Sequence, residues 1–146
     1  MANLREKIDV EMENISAVLS ELTKIKDKSN KSIAELAGIG AFLHNFYTGI
    51  ENILKQILGA KGISIPISSS WHRDLLIRAS EENIITETAR TQLAKYLAFR
   101  HFFMHAYSYL LAERELRLLI DDVFDTYSTF KEEINAFISK RNNKEN

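Results

Sequence analysis

The chain has 146 residues, 45% of them hydrophobic, which is enough for one globular domain with its own core. Nineteen Lys and Arg against 20 Asp and Glu leave a formal net charge of -1, which excludes a protein that coats nucleic acid or anionic membrane by bulk charge. The absence of cysteine rules out disulfides and thiolate metal sites. The amino-terminal stretch MANLREKIDVEMEN carries no apolar core of the signal-peptide kind, and no run approaches the roughly 20 apolar residues needed to span a bilayer. A cytoplasmic domain without a membrane segment is expected.

One proline and five glycines predict long helices. From Leu4 to about Asp27, apolar residues recur at steps of three and four (Leu4, Ile8, Met12, Ile15, Val18, Leu19, Leu22, Ile25), with Val10 off the stripe. The polar break DKSNKS follows. A second helix is predicted from about Ser32 to Leu58, with Phe42, Phe46, Ile50, Ile53 and Ile57 on one face. His44, Thr48, Glu51 and Lys55 line the opposite one. GAKGISIPISSS ends it, and Ser70 is the expected N-cap of a short third helix, WHRDLLIRAS.

The fourth helix is predicted from near Thr86 to about Leu111. Its apolar residues, from Leu93 and Tyr96 to Leu110 and Leu111, spread around the whole circumference, the mark of a central helix. The fifth is predicted from about Glu113 to Ser139. The fold class is therefore all-α: a single-domain up-and-down bundle of four to five helices over residues 1–140, with 141–146 as a flexible carboxy-terminal tail.

Within the fourth helix, AFRHFFMHAY sets one arginine and two histidines into an apolar run. At about 100° per residue, Arg100, Met104 and Tyr107 form one stripe, and His101 and His105 a neighbouring one. A guanidinium offers a planar, permanently charged fork to phosphate oxygens. An imidazole that titrates near neutrality moves a proton at a ribose 2′-hydroxyl or at the leaving oxygen of a phosphodiester. Neither role demands a metal, and no cofactor is expected.

The same residues admit plainer roles. Arg100 suits an interior ion pair with a bundle carboxylate such as Glu51 or Asp74, and His105 suits a satisfied core histidine. His101 and His105 are also spaced as two metal ligands on one helical face, which would need a third from His44, His72 or Glu51. Trp71 and His72 read as a packing anchor and helix-end partner. Phe99, Phe102 and Phe103 read as core or dimer interface.

Arg100-His-Phe-Phe-Met-His105-Ala-Tyr107 has the R-x4-H-x-Y form of the HEPN superfamily motif, including a polar residue directly after the arginine. FYTGIENILKQI, SWHRDLL and YLAFRHFFMHAYSYLL also resemble the HepT-like ribonuclease toxins, over roughly residues 40 to 125. The resemblance implies a HEPN-like helical bundle and a metal-independent endoribonuclease with Arg100 and His105 as its catalytic pair. In that scheme His105 transfers the proton, Arg100 binds the phosphate, and His101 holds or polarises its neighbours. It further implies a homodimer with one composite cleft, and a nucleotidyltransferase antitoxin that transfers AMP to the motif tyrosine, here Tyr107. His44 and Glu51 are candidate cleft residues if the second helix borders the site. RNA is the implied substrate. The alternative is a non-catalytic HEPN-like module that binds a nucleotide or a partner protein.

Overall fold

The computed structural model describes residues 3–105 and 113–145, with the side chains of residues 104, 105 and 145 outside that description. Five helices follow one another: α1 (Leu4–Ile25), α2 (Ile33–Ala60), α3 (Trp71–Glu81), α4 (Glu87–His105) and α5 (Glu113–Glu145). Among the described residues there is no strand, and no helix is long and apolar enough to cross a membrane.

Helix boundaries follow local chemistry. Asn3 caps α1 by accepting a hydrogen bond from the Glu6 N–H at 2.8 Å. Ser32 and Glu35 form a reciprocal capping box at the start of α2. The Lys28 ammonium 2.6 Å away, followed by the Ser32 N–H, pulls the Glu35 carboxyl down to about 2. α2 stops where Gly62 takes φ +77°, so that the Ile63 N–H can reach back to the Leu58 carbonyl. Ser70 occupies the N-cap position of α3 without capping it; its hydroxyl donates to Asp74 at 2.9 Å instead. Thr86 caps the start of α4 by accepting from the Ala89 N–H, and its own N–H and hydroxyl donate to Glu133, tying that end of α4 to α5.

The central helix is α2, not α4 as the apolar circumference of α4 had suggested: α2 packs against all four others. Ile39, Leu43, Phe46, Tyr47, Ile50, Ile53, Leu54 and Ile57 are fully buried around it. α4 packs on α2, α3 and α5 and leaves Phe102 46% exposed. Two glycines on α2 let its neighbours approach. A Cβ on Gly49 would stand 2.6 Å from Ile15 Cγ1 of α1, and one on Gly40 would stand 2.8 Å from the Phe103 ring of α4. The α1 stripe buries Ile8, Met12, Ile15, Leu19 and Leu22, while Val10 stays exposed.

α5 buries Leu116, Ile120, Val123, Phe130, Ile134 and Ile138 and runs on to Glu145. The expected tail from 141 is thus helical through Glu145. Nothing in KRNNKE breaks a helix, and Lys140, Arg141 and Lys144 carry the charge that suits a helix carboxy terminus.

Gly49→Leu is expected to lower stability by about 1–3 kcal/mol in urea unfolding while the protein stays helical, because the side chain must displace Ile15. Gly59→Ala, where an added Cβ meets nothing within 4 Å, should be neutral or stabilising by up to about 1 kcal/mol.

Candidate functional site

α2, α3 and α4 pack on one another, and their junction holds a chain of polar groups. Glu51 of α2 is only 4% exposed. A carboxylate that deep needs hydrogen bonds and a compensating charge. His72, in the first turn of α3, supplies the first: its Nδ1 lies 2.8 Å from one Glu51 oxygen and 3.0 Å from the other. On the far side of the ring, Nε2 lies 3.4 Å from Nη1 of Arg100 on α4. A guanidinium only donates, so in this contact Nε2 is the acceptor and Nδ1–H donates to Glu51. The tautomer of His72 follows from its two neighbours. The Arg100 charge answers that of Glu51 across the ring.

Tyr47 lies one turn before Glu51 and is fully buried. Burial, and then the Glu51 charge, push its phenol far above its ordinary value, with Arg100 pulling the other way. It therefore remains a neutral hydroxyl beside the carboxylate. The Trp71 ring meets His72 edge-on, with centroids 4.8 Å apart, and Lys55 Nζ lies over the Trp71 ring, 5.3 Å from its centroid.

This chain of groups opens onto a cleft of about 570 Å³, lined by Ser69, Ser70, His72, Arg73, Arg100 and His101 together with Leu97 and Ala98. Arg100 is half-buried, and its Nε is buried without a hydrogen-bond partner among the described residues. Arg100 forms no ion pair among the described residues; the contact that links it to Glu51 runs through His72. The site can present a guanidinium and an oriented imidazole to an anion.

The family described as HepT-like protein matches residues 38–141, well over half of the chain. The chain belongs to the HepT-like protein family. The matched span takes in α3, α4, nearly all of α2 and most of α5, and with them every residue of the cleft. Among solved structures, the cytosolic protein of unknown function YutE from Bacillus subtilis is similar to this HepT-like chain. Its TM-score is 0.75 at 19% identity, over 94% of this chain and 92% of that one, a likeness of fold. Comparison with curated proteins gives no match.

Of the residues singled out in the HepT-like sequence, Arg100, His101 and Glu51 come together here. Arg100 meets a carboxylate indirectly, and Asp74 is turned to Ser70. His44 lies about two turns before Glu51 on α2 and packs on Phe103, with ring centroids 5.6 Å apart, instead of lining the cleft. Its Nε2 is buried without a partner among the described residues. The backbone of His105 ends the described part of α4, one turn beyond His101; its side chain and the whole of Tyr107 lie outside the described residues. Among the described residues no three His, Asp or Glu converge as a metal site. In the sequence His72 reads as a helix-end anchor, and nothing singles out Tyr47. No local spacing joins His72 to Glu51, 21 residues away, and only a buried acid on α2 would have called for such a partner.

Tyr47, Tyr96 and Tyr127 all have phenols raised by burial. Their folded-state values lie above the unfolded value of about 10, so the stability they contribute is complete below that pH and is lost as pH rises through and beyond it. Urea midpoints should therefore fall above about pH 10, with phenolate absorbance from these residues appearing together with loss of helix. Tyr47→Phe should make that fall shallower.

Proposed function

We propose that this HepT-like chain is a metal-independent endoribonuclease toxin of a toxin–antitoxin pair. It cleaves RNA by attack of a ribose 2′-hydroxyl and leaves a 2′,3′-cyclic phosphate. The observation that supports this best is Arg100: a guanidinium on the wall of an open cleft, held by an imidazole and paired directly with no carboxylate among the described residues. Such a group binds a phosphodiester and stabilises the extra charge of its pentacovalent transition state. His105 stands at the R-x4-H spacing from it and transfers the proton. His101, exposed beside Arg100, holds or polarises these neighbours and extends the positive edge of the cleft.

In this reading two protomers bring their motif helices together as a homodimer and share the cleft, in the cytoplasm. A cognate nucleotidyltransferase antitoxin silences it by transferring AMP to Tyr107. An adenylate there would set a bulky anion near Arg100, blocking the cleft and neutralising its charge.

The deciding experiment is RNA cleavage by purified protein in EDTA, with Arg100→Ala and His105→Ala variants shown by circular dichroism to be folded. Wild type should yield cyclic phosphate ends, and each variant should be slower on the order of 100-fold or more. If folded, unmodified wild type leaves varied RNAs intact, the nuclease gives way to a non-catalytic HEPN-like module that binds a nucleotide or partner.

A further inference from the structure

The imidazole in contact with Arg100 is on α3, not on the motif helix. His72 shows the three features that prepare a histidine for proton transfer. Its Nδ1 is tied to both oxygens of Glu51, its ring is held edge-on by Trp71, and it lines the cleft with Nε2 against the guanidinium of Arg100, another residue of the cleft wall. A purely packing role would not call for a carboxylate buried to 4% exposure behind it, since an apolar side chain fills such a space at lower cost. The contact between Nε2 and Arg100 is long at 3.4 Å, so an incoming phosphate can draw the guanidinium away and leave the lone pair free. With the contact as it stands, a phosphate oxygen about 2.8 Å from Nη1 lies within about 6 Å of Nε2, a span that the adjacent ribose hydroxyl can bridge.

We infer that His72 is a second catalytic histidine of the cleft, the base that takes the proton of the attacking 2′-hydroxyl, with Glu51 as its orienting carboxylate. The inference rests on the ribonuclease reading above and divides the proton transfers between two histidines. Nε2 of His72 accepts the 2′-hydroxyl proton as the bond from O2′ to phosphorus forms. The bond from phosphorus to O5′ breaks, and O5′ leaves with a proton from the His105 imidazolium. The products are a 2′,3′-cyclic phosphate and a 5′-hydroxyl. Water then takes the proton from His72 and returns one to His105. Glu51 stabilises the imidazolium that forms on His72.

The test compares wild type, His72→Gln, Glu51→Gln and His105→Ala on an RNA oligonucleotide that wild type cleaves. The same oligonucleotide is also made with a 5′-bridging phosphorothiolate at the cleaved bond, whose thiolate leaves without protonation. A third version, with 2′-deoxyribose at the cleaved nucleotide, measures binding alone. On ordinary RNA, His72→Gln should lower kcat on the order of 100-fold with KM and binding of the deoxy analogue unchanged. The phosphorothiolate should restore His105→Ala and leave His72→Gln slow. Glu51→Gln keeps the shape of the side chain and should show the His72 pattern at smaller amplitude, which serves if His72→Gln does not fold.

Three results overturn the inference while wild-type cleavage still upholds the ribonuclease: full activity of both Gln variants, rescue of His72→Gln by the phosphorothiolate, or weakened binding of the deoxy analogue with kcat intact. The last would make His72 a positioning residue for Arg100. Failure of wild type to cleave any RNA removes both readings together.

Discussion

Glu51 is the constraint on which the site is built. Its carboxylate sits on the helix that touches every other helix, in the same stretch as Phe46, Ile50 and Leu54, where an uncompensated charge would be costly. Its hydrogen bonds go to His72, from a different helix, and the balancing charge comes from Arg100, on a third. The packing of α2, α3 and α4 is therefore coupled to the ionic state of the cleft. Removing any one of the three partners leaves the others with unmet demands. Structural and chemical roles are not separable at these positions.

The same arrangement shows how a chain of net charge -1 gathers positive charge at one cleft. The cationic and titratable groups are gathered locally: His72 and Arg73 at the start of α3, Arg100 and His101 near the end of α4. Glu51 lies behind the imidazole, out of solvent, where it orients the ring without occupying the cleft. A positive face thus needs no excess of base over the whole molecule. Placement does what composition does not.

Much of this architecture is legible in the sequence, for reasons that differ by element. The α1 stripe, the start of α2 near Ser32 and its glycine exit depend on neighbours a few residues away, so periodicity and turn chemistry report them well. The central position of α2 was harder to read. Its polar side includes Glu51, and a buried acid makes a core helix look amphipathic, whereas α4 looks central because Phe102 is apolar yet nearly half exposed. Ser70 has the residue type of an N-cap but bonds Asp74. The helical course of α5 beyond Ser139 is not marked by apolar periodicity, because the extra turns are polar all round. Arg100 and His101 were legible through the R-x4-H-x-Y spacing within one helix. His72 was not, since its meaning arises only when α3 docks on α2.

Gly40 gives this docking its geometry. The missing Cβ leaves room for the Phe103 ring, and Phe99 packs beside it, so α4 lies close along α2 at the turn that carries Arg100. Arg100 falls between those two rings in sequence and is turned toward α3, where the guanidinium meets His72 at the cleft wall. His44, one turn after Gly40, packs at a tilt against Phe103 from the α2 side and completes this contact. The aromatic seam and the polar chain are thus alternate faces of one helix pair. The seam sets the distance between α2 and α4, and that distance decides whether a guanidinium on α4 and a carboxylate on α2 can share one imidazole from α3.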